Sequence, residues 1–232
     1  MTLQENGPMP YNTLHPNVHL LPQTCRLRAL HTLVRDRHAP LDRFVTHSRQ
    51  IIRLLLEAGL DQLPYAEVEV TTPVGAAYRG LRLAVDVTAV AVVRAGESME
   101  AELRELQPGI PVGKILIQRD RDTKLPHLYF SHLPPGIADG HVLLLEPMLA
   151  TGGSANLAVD VLLKAGVPEH AIVLVCLFAA PEGLDAVREA HPEVRVVASA
   201  IEEGLNEDAF MVPGIGDFGD RYFGTTAPAE AR

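Results

Sequence analysis

The segment Glu146-Pro147-Met148-Leu149-Ala150-Thr151-Gly152-Gly153-Ser154 puts a carboxylate, hydroxyls and glycines into one short turn. The apolar run Val142–Leu145 precedes it and reads as a buried strand, and Ala155–Ala165 follows as a helix. A strand feeding a glycine-containing turn at a helix N-terminus makes an anion site. The free N–H groups of the first helical turn point at the ligand, and the helix dipole favours negative charge. Gly152 and Gly153 let the backbone approach closely, and Thr151 and Ser154 add hydroxyl donors. A carboxylate at Glu146 would repel a bare phosphate, yet it accepts hydrogen bonds from vicinal sugar hydroxyls. The pattern therefore favours a sugar phosphate. An ATP-type loop needs Gly-Lys-Ser/Thr at its end, and a dinucleotide fingerprint needs G-x-G-x-x-G; neither spacing occurs here. A plainer alternative is an ordinary strand-to-helix turn with Ser154 as N-cap.

Two arginines follow apolar segments: Arg94 after Val87–Val93, and Arg119 after Lys114–Gln118. In an open parallel sheet, ligands bind beyond the carboxyl ends of the strands. A planar guanidinium fork at such an end matches phosphate oxygens. The alternative for either arginine is a solvated or carboxylate-paired surface charge.

These groups need a frame. Arg26–Arg35 and Leu41–Ala58 carry apolar residues at helical spacing, with Gly59 as a stop for the second. Glu67–Thr71 and Ala77–Leu81 form a hairpin through Pro73-Val74-Gly75. An alternation then begins. Strands are expected at Val87–Val93, Lys114–Gln118, Val142–Leu145, Ile172–Phe178 and Val194–Ala200. Helices are expected at Ser98–Leu106, Ala155–Ala165 and Gly183–Ala190. His127–Ser131 is an edge strand or part of a flap. The fold class is α/β: an open, mainly parallel twisted sheet with helices on both faces and a hairpin or flap over the site. Residues 1–14 are expected to be a flexible arm, within a loosely ordered stretch reaching Pro22, and 15–232 a single domain. Gly214–Gly224 reads as irregular, and a long structureless segment in a compact domain is often functional.

Composition narrows the partners. A 47% hydrophobic content supplies a sizeable core. A net charge of −9 argues against a nucleic-acid backbone, whose binding rests on Lys and Arg. The apolar run Ala171–Ala180 is too short to span a bilayer. Cys25 and Cys176 give no disulfide framework and suit a reducing cytosol. The histidines show no metal-ligand spacing.

From about His15 to Thr225 the chain resembles the uracil phosphoribosyltransferase family, in the form of its eukaryotic-type branch. Four segments carry the likeness: Val93–Met99 (VRAGESM), Gly113–Asp120 (GKILIQRD), Glu146–Ser154, and Val212–Thr225 (VPGIGDFGDRYFGT). No general structural rule demands the last string. The resemblance implies a type I phosphoribosyltransferase fold and a salvage reaction in the cytoplasm: phosphoribose passes from 5-phosphoribosyl 1-diphosphate to N1 of uracil, giving UMP and pyrophosphate, with Mg²⁺ required. It implies that Glu146–Ser154 bind the diphosphate sugar, Thr151–Ser154 at the 5-phosphate and Glu146 at the ribose hydroxyls. Arg94 and Arg119 would hold the diphosphate. The metal would be held mainly through the diphosphate, with Asp217 helping to place it. Met211, Gly216, Asp217 and Phe218 lie in the segment that reads uracil, largely through the backbone. Cytosine inverts the donor and acceptor pattern at two positions, for which rejection by about 10⁴-fold is in reach. Arg121–His132 would be a mobile hood. A homodimer or homotetramer is implied, with neither nucleic acid nor membrane as partner.

Departures from the family pattern stand out. Glu146 replaces Asp, and one methylene moves the carboxylate by about 1.5 Å. His132 replaces a hood Lys. Positions through which some members respond to GTP are Leu41, Gln50, Asp86 and Pro111 here, so no response by that route is expected. The alternative from another class is a catalytically weak relative that senses UMP or the diphosphate sugar.

Overall fold

The computed structural model describes residues 16–119 and 126–225, and of Arg119 the backbone alone. The expected arm, residues 1–14, lies outside the described residues.

An eight-stranded sheet forms the centre. Its path runs β1 (Val18–Leu20), β10 (Arg195–Ile201), β9 (Ile172–Ala179), β7 (His141–Leu145), β4 (Val87–Val93), β5 (Val112–Arg119) and β6 (Pro126–His132). The short β8 (Met148–Leu149) also pairs with β9. Every pairing is parallel except that of β5 with β6. The apolar runs are continuous because both faces are covered. On β7, Val142 and Leu144 face one core, and Leu143 and Leu145 the other. The first core lies beneath α4 (Gly153–Lys164) and α5 (Pro181–Ala190); the second lies beneath α1 (Cys25–Arg35), α2 (Leu41–Asp61) and α3 (Glu100–Leu106). Each large aliphatic side chain buried this way contributes about 1.5–3 kcal/mol. In α1, Thr24 caps the first turn by accepting from the Leu27 N–H at 3.2 Å. In α2, Phe44, Ile51, Ile52, Leu55 and Leu56 form the buried stripe that its spacing predicts.

The hairpin β2 (Tyr65–Thr71) and β3 (Ala77–Leu83) forms a separate two-stranded sheet, as expected. Two expectations need correction. The stretch before Pro22 is not wholly loose, because Val18–Leu20 pairs in parallel with β10. Gly214–Gly224 is not wholly irregular, because Phe218–Phe223 forms α6, with the Phe218 ring tilted against Phe44 and Tyr222. The expected hood is described in part, and there it takes the edge-strand form. From Pro126 it is the edge strand β6, and residues 120–125 lie outside the described residues. His132 pairs with Lys114 near the start of β5. That is roughly 16 Å back from the C-terminal end of the strand at ~3.3 Å per residue.

Candidate active site

β4 and β5 lead to one side of the sheet, and β7, β9 and β10 to the other. The order reverses between β4 and β7, and the residues just past these two strands are Arg94 and Glu146. A crevice opens at such a switch point. Here it is an open cleft of about 860 Å³, lined among others by Arg94, Glu146, Met211, Gly216, Asp217 and Phe218. One cleft thus gathers candidate residues that lie far apart in the chain.

Arg94 follows a cis peptide bond at Val93. Its guanidinium donates to Asp220 Oδ1 at 2.5 Å and to Thr225 Oγ1 at 2.8 Å, and lies 5.8 Å from the Phe223 ring centroid. The Arg94 and Thr225 contacts hold the Asp220 carboxyl below the usual carboxylate range, with the Thr225 hydroxyl the larger influence. Arg119 is the last residue of β5, on the same edge of the sheet; its side chain lies outside the described residues.

Glu146 sits at the cleft floor and is 9% exposed. Its Oε2 has no hydrogen-bond partner, and burial pushes its pKa up to about 8. The neighbouring Cys176 thiol is pushed up too, by burial first and by Glu146 second. A buried carboxyl with an unused oxygen is poised to accept hydroxyl donors from a ligand.

Beside the cleft, Met148–Ala155 line a shallow depression that shares Met148 and Ala150 with it. The N-cap of α4 is Gly152, not Ser154, and this N-cap brings no side-chain oxygen to the first turn. Its first-turn N–H groups are left for a ligand or water. Gly152 has φ +79°, and a Cβ there would lie 2.9 Å from Ala186 Cβ and 3.0 Å from the Gly183 carbonyl. The turn passes so close to α5 that glycine is required.

The opposite wall is the segment from β12 (Met211–Val212), which pairs with β11 (Gly204–Leu205), through a cis Pro213 to α6. Asp217 caps α6, accepting from the Asp220 N–H at 2.8 Å. Phe218 lines the cleft, but its ring is 1% exposed and belongs to the core. This leaves the Phe218 backbone to meet a ligand.

The cleft also contains Glu97, Gln118, Ala209 and Phe210, which sequence reasoning did not assign. Asp220 and Thr225 were likewise unassigned, although they fall within the tail string. Phe210 gave no signal, being a lone aromatic beyond the polar Asn206-Glu207-Asp208. Glu97 accepts from Lys114 Nζ at 2.6 Å. Among the described residues, no group of three or more His, Cys, Asp or Glu could hold a metal ion. Asp217 lines the cleft and is exposed, so its carboxylate is within reach of a ligand there.

Comparison with known proteins agrees with the geometry. The family model for uracil phosphoribosyltransferase matches residues 21–225. A Dictyostelium discoideum protein named uracil phosphoribosyltransferase is 48% identical over 209 residues, covering 90% of this chain and 97% of its own. Among solved structures, a protein from Aquifex aeolicus is similar at TM-score 0.79 and 28% identity, over 90% of this chain and 99% of its own. An adenine phosphoribosyl transferase from Trypanosoma brucei, 12% identical, shares the fold at TM-score 0.53, over 84% of this chain and 87% of its own.

Proposed function

The chain belongs to the uracil phosphoribosyltransferase family, and from that premise we infer how its cleft divides the work. The reaction transfers phosphoribose from 5-phosphoribosyl 1-diphosphate to N1 of uracil, giving UMP and pyrophosphate. The C1–O bond to the diphosphate breaks, the C1–N1 bond forms, and the N1 proton is lost. The binding-only alternative finds no support in the curated relative, which is named as an enzyme.

In our reading the 5-phosphate lies on the α4 N-terminus at Thr151–Ser154, and the ribose hydroxyls reach Glu146. Arg94, with Arg119, takes the diphosphate. Such transfers build oxocarbenium character at C1, so the protein mainly positions the reactants and stabilises the leaving group. Mg²⁺ would supply charge neutralisation at the diphosphate, with Asp217 as a candidate ligand. Arg94 is the chain's own contribution at that place. Uracil is read by the backbone around Met211, Gly216, Asp217 and Phe218, whose fixed N–H and C=O groups suit its alternating edge.

The observation that carries this reading is the meeting of Arg94, Glu146 and the 211–218 turn around one cleft at the strand-order reversal. Thermal shift provides the test. Diphosphate sugar with Mg²⁺, and UMP, should each stabilise the natural protein, and Ser154→Asp should abolish both shifts. Shifts that persist in Ser154→Asp would refute the phosphate placement.

The proposed setting is a homodimer or homotetramer in the cytoplasm, with no nucleic-acid or membrane partner. Self-association is supported by Val70, Val74, Tyr78 and Leu81, which are exposed on the β2–β3 hairpin. A cytoplasmic site is supported by two cysteines, both free. No helix among the described residues is long and apolar enough to cross a membrane.

A further inference from the structure

Glu202 follows the last residue of β10, and Arg35 ends α1. The two side chains meet at 2.6 Å (Arg35 Nη2 to Glu202 Oε1) and 3.1 Å (Arg35 Nη1 to Glu202 Oε2). The Glu202 side chain is fully buried, and the Arg35 guanidinium lies 4.5 Å from the Phe178 ring centroid. Both partners continue to the same glycine. Glu202 Oε2 accepts from the Gly214 N–H at 3.1 Å, and Arg35 Nη1 donates to the Gly214 carbonyl at 3.0 Å. One ion pair therefore occupies both backbone polar groups of Gly214, two residues before Gly216.

Gly214 needs such a hold. It follows Pro213, has φ +64°, and turns so tightly that a Cβ would lie 2.2 Å from the Met211 carbonyl. The next peptide is held from the other side. Arg221 Nη1 donates to the Ile215 carbonyl at 2.7 Å and to the Val34 carbonyl at 2.8 Å, and Nη2 donates to the Asp36 carbonyl at 2.7 Å. The end of α1 is thus tied to the turn through Gly214 and Ile215. The Glu202 backbone is itself fixed, its N–H donating to the Ala179 carbonyl at the end of β9 at 2.8 Å.

A buried ion pair is a poor device for stability, because desolvation offsets much of the attraction. Two charges that instead share the N–H and C=O of one glycine hold the two peptide planes that meet at its Cα. We propose that Arg35 and Glu202 are positioning residues for uracil recognition, fixing the Gly214 peptide so that Gly216 and its neighbours present a rigid backbone edge to the base. This rests on the reading that the 211–218 turn meets uracil.

The test compares steady-state constants in Glu202→Gln, Arg35→Met/Glu202→Met and Gly216→Ala. A displacement of the reading edge by about 1 Å can cost on the order of 100-fold. Glu202→Gln is expected to raise the KM for uracil by about tenfold or more and to leave the KM for the diphosphate sugar within about twofold. Glu202→Gln also strands a charge and can lower the melting temperature. The double Met variant removes both charges and should recover that loss. Our expectation is that the double variant melts near the natural temperature while its uracil KM stays high. Recovery of the uracil KM together with the melting temperature would overturn the proposal and leave the pair a purely structural one. A raised uracil KM in Gly216→Ala, with a normal one in the double variant, would also overturn it. An unmoved uracil KM in Gly216→Ala would instead remove the underlying reading of the turn.

Discussion

Arg94 Nη2 lies 2.5 Å from Asp220 Oδ1, so the guanidinium at the end of β4 is already engaged by the C-terminal segment that forms the far wall of the cleft. A diphosphate reaching Arg94 has to share it with a carboxylate that repels phosphate. The pair is half exposed, and exposed pairs contribute at most about 1 kcal/mol. Asp220→Asn should therefore tighten pyrophosphate inhibition by up to about fivefold, measured as the product inhibition constant. Weaker inhibition would mean that Asp220 aims Arg94 rather than competing for it.

Glu146 should impose a pH dependence of its own. Its folded pKa of about 8 lies above the ordinary 4.5, so the folded state holds a proton that the unfolded state has lost. Its contribution is full below about pH 4.5 and is lost as pH rises through 8, amounting to at most about 5 kcal/mol. Glu146→Gln should melt higher than the natural protein at pH 9, with the gap closing towards pH 5. The same change should lower kcat/KM for the diphosphate sugar by about 100-fold, since the proposed buried contact of the Glu146 carboxyl with the ribose is disrupted. A gap independent of pH would show that Glu146 does not titrate in this window.

His31 works in the acid range. Ser199 donates to the Leu177 carbonyl at 2.5 Å, so its oxygen accepts from His31 Nε2 at 3.1 Å. Burial, reinforced by Arg35, lowers its pKa to about 4 from the usual 6.5. The unfolded chain binds the extra proton, so stability falls as pH drops from 6.5 to 4, by at most about 3 kcal/mol. Urea denaturation of His31→Gln should show a shallower loss across this window. An identical slope would contradict the assignment.

Gly152→Ala places a methyl group against Ala186 and the Gly183 carbonyl in a left-handed backbone. The strain should cost about 1–3 kcal/mol. Affinity for the diphosphate sugar should fall with it, as the first turn of α4 shifts. Calorimetric titration checks the second effect separately from the melting temperature. Unchanged affinity would place the 5-phosphate elsewhere.

GTP should change neither rate nor oligomeric state by the route that the family resemblance implies for some members. Leu41, Gln50, Asp86 and Pro111 supply no cation there, and Gln50 already accepts from Arg26 at 2.5 Å. A GTP-dependent gain in rate or in tetramer fraction would contradict this.

Much of this was legible because periodicity reports burial. Val142–Leu145 and Ile172–Phe178 are covered on both faces, and an unbroken apolar run says so directly. The turn at Thr151–Ser154 was legible from its glycines and the helix that follows. β1 was not, because three residues carry no period and only the β10 edge makes them a strand. α6 was hidden for a similar reason: its six residues follow the glycines Gly214 and Gly216, and the Phe218 ring packs on Phe44. The Arg94–Asp220 and Glu202–Gly214 contacts join residues far apart in the chain or on separate elements, and spacing does not report such pairs.

The most direct measurement is UMP formation from uracil and 5-phosphoribosyl 1-diphosphate with Mg²⁺, run on the natural protein, Glu146→Asp and Arg94→Ala. Turnover is expected in the natural protein and in Glu146→Asp. In Arg94→Ala, kcat/KM for the diphosphate sugar should fall by about 100-fold or more at an unchanged melting temperature. No turnover in the natural protein, or full turnover in Arg94→Ala, would contradict transfer in this cleft.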